Sequence, residues 1–176
     1  MLSRGASLAA LATIGCLGCE SVPETVVSMI DHQRWEVLES LEDPFLESVS
    51  EPVFCREIDF GVEGEGEYSF FEVVTTDCNY LTVTQSSLSE VIVGDQLELT
   101  LWHLPLVAAE EGKAELVVTL GDRTIFAQMI AIPAEEKVYS SIVSADFDAA
   151  AGALIRFHVH NHGLNAWRFY SFEVRR

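Results

Sequence analysis

A period-two alternation of apolar and polar residues is the strongest structural signal in the chain. Residues 97–101 read Leu-Glu-Leu-Thr-Leu and directly follow the turn residues Gly94 and Asp95. Successive side chains of a strand point to opposite faces, so this period predicts a strand with one buried face. Gly121 and Asp122 separate two further apolar runs, which is typical of a β-hairpin.

Similar short strands recur over the last two thirds of the chain, and no helical period interrupts them. We predict strands at residues 68–76, 80–84, 97–101, 114–120, 124–132, 138–143, 153–159 and 166–174. About eight short strands at this spacing are the pattern of a sandwich. The sequence therefore predicts an all-β fold, a two-sheet antiparallel β-sandwich.

The C-terminal strands carry a resemblance to a known family. Residues 155–167, IRFHVHNHGLNAW, lead into a closing strand that ends FEV at 172–174. This resembles the end of a jelly-roll domain of the galactose-binding-like or carbohydrate-binding-module type and implies a jelly roll. An immunoglobulin-like sandwich is the alternative. That fold places a Trp between its two cysteines, whereas no Trp lies between Cys55 and Cys78.

The first twenty residues have the pattern of an export signal. Arg4 is the only charge before Glu20, and residues 5–18 are uncharged and mostly apolar. This run is shorter than the roughly 20 residues that a membrane-spanning helix needs. A small residue precedes each of Cys16 and Cys19, which resembles the lipobox of bacterial lipoproteins. In that family the signal is cleaved before a cysteine that carries diacylglycerol.

Cysteine parity favours Cys19 as the lipidated residue, with Cys16 as the alternative. Cleavage before Cys19 leaves Cys55 and Cys78 as one pair, and we predict that they form a disulfide in an oxidising compartment. Cleavage before Cys16 leaves an odd thiol. Both matches depart from the lipobox, which usually has Leu, Val or Ile three residues before the cysteine. An ordinary signal peptide without lipid is the other interpretation.

Charge and composition divide the chain and limit its partners. We predict a signal peptide at residues 1–18, an acidic tether at 19–34 and a single sandwich domain at 35–176. The net charge of −18 argues against nucleic acid and against anionic headgroups. Membrane attachment is therefore expected through N-terminal acyl chains. The expected location is the bacterial cell envelope, on the periplasmic or exterior side.

Three histidines at alternate positions form one candidate metal site. His158, His160 and His162 would share a face if the strand continued through them, and imidazole is a common metal ligand. The alternative is a solvated outer face, since Ile155, Phe157 and Val159 would then be the core side. The main prediction is that the chain has no metal site and no cofactor. A metal site at His158, His160 and His162 is the alternative.

Aromatic and polar side chains near the strand ends are candidates for ligand binding. An exposed Trp can stack on a sugar ring, while a neighbouring amide or imidazole binds its hydroxyls. The candidates are Trp102, His103, His158, His160, His162, Asn165 and Trp167. If residues 97–103 place their odd-numbered side chains in the core, Trp102 points outward.

No catalytic motif supports an enzyme. The chain has no G-x-S-x-G, H-E-x-x-H, P-loop or G-x-G-x-x-G pattern. The sequence favours a lipid-anchored, non-catalytic sandwich that binds a glycan or an envelope protein, or that has a structural role. A metal-binding lipoprotein is the second hypothesis, and a small secreted hydrolase ranks last.

Overall fold

A computed structural model describes residues 25–176, except for the side chain of Glu67. This part of the chain forms eleven strands: β1 Val26–Ser28, β2 Glu36–Val37, β3 Phe60–Glu63, β4 Phe70–Val74, β5 Tyr80–Ser86, β6 Gln96–His103, β7 Gly112–Leu120, β8 Arg123–Ile132, β9 Lys137–Ser144, β10 Leu154–Asn161 and β11 Ala166–Arg175. Its helical elements are short 3-10 turns at His32–Arg34, Leu46–Ser48, Glu57–Asp59 and Gly66–Tyr68.

The strands form two antiparallel sheets. Sheet A has the order β3-β4-β11-β6-β9, and β1 also pairs with β11. Sheet B has the order β2-β5-β10-β7-β8. From β4 onward the chain changes sheets at each connection, except for the β7–β8 hairpin. The predicted jelly-roll sandwich is thereby confirmed, and the immunoglobulin-like alternative is not what the chain forms.

The core lies between the two sheets and consists of the inward half of each alternating strand. Leu97, Leu99 and Leu101 are at most 1% exposed, as the period-two pattern predicts. Phe157 of sheet B meets Phe169 of sheet A with ring centroids 5.0 Å apart. Burial of apolar area at roughly 25 cal/mol per Å² is the main stabilising contribution in such a core.

The sandwich begins before the predicted boundary at residue 35. Val26–Ser28 pairs with the end of β11, and Met29 and Ile30 are buried in the core. These short apolar pairs lie among acidic residues and are too short to show the alternation of a strand. Residues 25–34 therefore belong to the domain. The tether prediction for residues 19–24 lies outside the described residues.

A segment of irregular structure, residues 38–56, lies over the outer face of sheet B. We call it the cover segment. The Phe45 ring stacks on His158 at 4.4 Å, and the Tyr80 hydroxyl donates to Asp43 Oδ2 at 2.8 Å. The predicted disulfide between Cys55 and Cys78 is present and fastens the end of this segment. These contacts cover the β5 and β10 part of sheet B, whereas Met129 on β8 of the same face is 49% exposed.

Candidate functional site

The outer face of sheet A carries three aromatic rings around one arginine. Phe70 on β4, Trp102 on β6 and Tyr170 on β11 are half-buried. The ring centroids of Phe70 and Tyr170 are 5.0 Å apart, and those of Trp102 and Tyr170 are 6.2 Å apart at an angle of 29°. The guanidinium carbon of Arg168 lies 4.6 Å from the Trp102 centroid and 4.9 Å from that of Phe70. We call these four residues the aromatic platform.

A β-bulge at Tyr170 changes the alternation of β11 beside this platform. The pairing of β11 with β6 shifts between Phe169 and Ser171, and both Phe169 and Phe172 are fully buried. Two residues rather than one therefore separate consecutive core positions. The extra residue is Tyr170, which shares the outward face of Arg168, and the bulge returns Phe172 to the core side. The His32 ring donates from Nε2 to the Tyr170 carbonyl at 3.0 Å and supports the bulge.

Arg168 connects the rings to a carboxylate. It lies opposite Trp102 on one side and opposite Glu72 on the other, and its Nε donates to Glu72 Oε1 at 2.6 Å. Burial opposes the charged guanidinium, but the bond to Glu72 and the charge of that carboxylate outweigh it and raise the pKa of Arg168. Arg168 therefore stays cationic, and its guanidinium, which also hydrogen-bonds with Tyr170, places N–H donors beside the rings.

Hydroxyls and apolar side chains extend the platform across the sheet. Ser171, Thr100 and Ser140 form one cross-strand row next to the rings. Val138 and Ile142 on β9 are 59% and 61% exposed, so this edge of the face is open to solvent. The face thus combines apolar surface with donors and acceptors, which is the composition of a recognition surface.

Trp102 points outward as the alternation of β6 predicts, but Trp167 and His103 do not reach the surface. Each of the latter two is 1% exposed, and their rings pack at 4.7 Å. Trp167 takes an inward position of β11, so its predicted role as a stacking surface is wrong. His103 donates from Nδ1 to the Leu104 carbonyl, and burial lowers its pKa. The predicted role of His103 in ligand binding is therefore wrong as well, because its ring is buried.

His158 is buried beneath the cover segment rather than solvated or free to bind metal. Its Nδ1 is hydrogen-bonded to the Thr82 hydroxyl at 2.8 Å, and the ring lies between Phe45 and Tyr80. Burial lowers the pKa of His158 to about 4, so the ring is neutral near pH 7. The sequence could not show this, because the covering residues are more than a hundred positions away.

His160 and His162 are brought together with a carboxylate that the sequence did not suggest. Glu51 of the cover segment has its Oε1 2.7 Å from His160 Nε2 and 3.2 Å from His162 Nε2. The two imidazole centroids are 4.8 Å apart. The three histidines of the alternative metal site therefore do not converge, because His158 faces Phe45 while His160 and His162 lie beside Glu51.

Asn165 has a structural role in the turn between β10 and β11. Its backbone has a φ of 131°, and its side chain donates to the Pro105 carbonyl at 2.6 Å. This bond joins the turn to the end of β6. The amide is therefore already engaged, and Asn165 is not part of the aromatic platform as a ligand-binding residue.

Sequence reasoning did not single out Phe70, Glu72 or Arg168 for the site. Each occupies an outward position of a predicted strand, and that alternation is the one signal that marked them. Their convergence depends on the order β4-β11-β6, which brings together residues that are far apart in sequence. Strand order is not encoded in local periodicity.

The lipidation candidates Cys16 and Cys19 lie outside the described residues. Within residues 25–176, no helix has the length and apolar character needed to cross a membrane.

No protein-family model matches the chain, and no curated protein matches it either. Solved structures of similar form include a carbohydrate-binding module studied for specific mannan recognition, at 13% identity and a TM-score of 0.49, which covers 88% of this chain and 99% of that one. A mutant family 29 carbohydrate-binding module has 12% identity, a TM-score of 0.42 and coverage of 86% and 92%. A family 11 module from Clostridium thermocellum, in complex with a β-1,3-1,4-mixed-linked tetrasaccharide, has 12% identity, a TM-score of 0.41 and coverage of 88% and 96%. Identities and TM-scores of this size give no basis for assigning a function.

Proposed function

We propose that this protein is a non-catalytic module that binds a neutral glycan on the outer face of sheet A. The observation that carries the proposal is the aromatic platform, in which three rings and the Arg168–Glu72 pair share one open face. Sugar rings have apolar C–H faces and a rim of hydroxyls. The platform offers aromatic surface for the former and charged hydrogen-bonding groups for the latter.

The expected affinity is modest. Hydrogen bonds to charged groups contribute about 1.5–3 kcal/mol each, and the loss of translational and rotational freedom on association offsets several kcal/mol. A few stacking contacts and two or three such bonds therefore correspond to dissociation constants between about 1 μM and 1 mM.

The charges favour a neutral ligand over an acidic one. Glu72, Glu98 and Glu173 on this face pair with Arg168 and Arg175, and the exposed Glu63 lies opposite Phe70 at its edge. The whole chain carries a net charge of −18, so a polyanionic glycan would be repelled at long range. Because Glu72 is engaged by Arg168, it is poorly placed to act as a catalytic acid or base.

The direct test is a glycan array followed by calorimetry on the glycans that bind. Trp102→Ala and Tyr170→Ala are each expected to weaken binding at least about tenfold, which corresponds to about 1.4 kcal/mol. Phe54→Ala is the matched control, since Phe54 is an aromatic residue that is 54% exposed on the cover segment. Equal affinity of wild type, Trp102→Ala and Tyr170→Ala for every bound glycan would refute the proposal.

We further propose that the protein is exported and anchored by acyl chains on Cys19, with Cys16 as the alternative. The support is the pattern of Arg4, the uncharged run of residues 5–18 and the small residue before each cysteine. Two or more acyl chains are needed for firm attachment, and a lipoprotein cysteine supplies them. The mature domain would then face the periplasm or the exterior.

Labelled palmitate tests the anchor. Incorporation in the wild type that disappears in Cys19→Ser supports the proposal, and Cys78→Ser is the control that changes a cysteine of the domain. Incorporation that persists in Cys19→Ser and disappears in Cys16→Ser would move the anchor to Cys16. Absence of label from the wild type would refute the lipid anchor and indicate an ordinary signal peptide without lipid.

A further inference from the structure

Three potential metal ligands converge at one end of sheet B, on the face opposite to the aromatic platform. His160 lies at the end of β10, His162 lies just after it, and Glu51 comes from the cover segment. The chain therefore brings a carboxylate across 109 residues to two imidazoles that are adjacent on the surface. Ligand atoms from the three side chains all lie within 4.8 Å of one another.

The distances suit a tetrahedral ion. Zinc binds imidazole nitrogen at about 2.0–2.1 Å and carboxylate oxygen at about 2.0–2.2 Å, so its ligand atoms lie about 3.4 Å apart. Glu51 Oε1 lies 2.7 Å and 3.2 Å from the two Nε2 atoms. The ligand atoms of the three side chains lie within 4.8 Å of one another, so the two imidazoles have to move closer together and Glu51 slightly outward to reach this spacing. The side chains of His162 and Glu51 are 32% and 39% exposed, which leaves room for that adjustment.

The surroundings position the first imidazole and add negative charge. The His160 side chain is 13% exposed, and its ring packs edge-on against Tyr80 at 5.5 Å. Glu115 on β7 is directly opposite His160. Lys113 lies beside His162, whose backbone N–H donates to the Lys113 carbonyl. The carboxylates of Glu51 and Glu115 thus place negative charge beside the two imidazoles.

We propose that Glu51, His160 and His162 bind one divalent transition-metal ion of the zinc type, with a fourth position left to solvent or an outside ligand. Two imidazoles and a carboxylate are a ligand set that suits Zn²⁺ and, by the general order of affinities, Cu²⁺ more strongly than Mg²⁺ or Ca²⁺. The ion would join the cover segment to the end of β10. This site is independent of glycan binding on sheet A.

X-ray absorption of the full-length wild-type chain loaded with ZnCl₂, without an affinity tag, tests the ligand set without any substitution. Elemental analysis should give one zinc per chain. The expected spectrum has a nitrogen and oxygen shell at about 2.0–2.1 Å and multiple scattering from two imidazoles. A sulfur shell at about 2.3 Å, as Cys16 and Cys19 would give, would overturn the proposal. Failure to retain stoichiometric zinc would overturn it as well.

Calorimetry of variants identifies the residues. His160→Ala, His162→Ala and Glu51→Gln are each expected to weaken zinc binding at least about tenfold, since even the loss of a partner behind a ligand costs about 10–100-fold. Glu47→Gln removes an exposed carboxylate of the same cover segment and should leave zinc affinity unchanged. Unchanged zinc affinity in His160→Ala and His162→Ala, or an equal loss in Glu47→Gln, would contradict the assignment.

Discussion

Arg168 illustrates how one side chain can serve two neighbouring strands. Its guanidinium lies over the rings of Trp102 and Phe70 and bonds with Glu72, so it contacts β6 and β4 from β11. Cation–π contacts contribute about 0.5–1 kcal/mol at exposed sites, and more when desolvated. The same contacts that stabilise this face also fix the positions of the groups that would meet a ligand.

Removal of this arginine should therefore affect stability. Arg168→Ala is expected to lower the free energy of unfolding by about 1–3 kcal/mol, because Glu72 is left half-buried without its partner. A double-mutant cycle with Glu72→Gln, measured by urea unfolding, should give a coupling of about 1 kcal/mol. Arg34→Ala breaks an exposed pair with Asp31 and is the control, with an effect below about 1 kcal/mol. A coupling near zero would show that the Arg168–Glu72 pair adds nothing.

His103 should make stability depend on pH. Burial lowers its pKa in the folded state, so below about pH 6.5 the unfolded chain binds a proton that the folded chain does not. The contribution of neutral His103 is thus fully present above pH 6.5 and decreases as the pH falls below that value, by at most about 1.4 kcal/mol per pH unit. His103→Gln removes the titrating group, and its urea-unfolding free energy should depend less on pH between 6.5 and 5. Parallel pH profiles for the two proteins would contradict this.

Among the elements, the cover segment is the one whose placement depends most on a single covalent link. Cys55–Cys78 closes a loop with a sequence separation of 23 and joins the segment to the start of β5. A loop of this size stabilises by about 3 kcal/mol, mainly because it restricts the unfolded chain. The double variant Cys55→Ser/Cys78→Ser should lose about that amount in chemical unfolding under oxidising conditions. If wild type and double variant unfold at the same denaturant concentration, the disulfide contributes no stability.

Strands with a clear alternation of apolar and polar residues were predictable, whereas segments whose conformation depends on contacts with distant residues were not. Residues 97–101 and 114–120 alternate strongly, and both are strands of the sandwich. Val26–Ser28 and Glu36–Val37 are too short for a period, and pairing with β11 and β5 defines them. The cover segment has no period either, and contacts such as Phe45 with His158 determine its path.

The same distinction applies to the candidate site. The outward position of Trp102 follows from the alternation of β6, so this half of the platform was predictable. Tyr170 shares the outward face of Arg168 by the same alternation, but the inward position of Phe172 depends on a bulge that the sequence does not mark, and the contact of Tyr170 with Phe70 depends on strand order. The prediction that Trp167 is exposed for stacking is wrong because Trp167 follows a turn, and the preceding strand does not determine which face the next strand turns inward.

At the scale of the whole molecule, the platform and β1 lie at opposite ends of β11. Arg168 is near the beginning of that strand, and Val26 pairs with Arg175 at its end. At about 3.3 Å per residue, Arg168 and Arg175 are about 23 Å apart. If Cys19 is acylated, the seven residue steps from Cys19 to Val26 span about 25 Å at most, so the domain stays close to the bilayer. An anchored domain would then direct its platform end away from the membrane.

The central claim is that the platform on sheet A is the glycan-binding surface, and the indole N–H signals in NMR test it most directly. The chain has three tryptophans, Trp35, Trp102 and Trp167, so three signals can be followed in one titration. Addition of a neutral glycan that the array identifies should shift the Trp102 signal, while the signal of buried Trp167 should move little. Saturating binding that leaves the Trp102 signal unmoved would contradict the account.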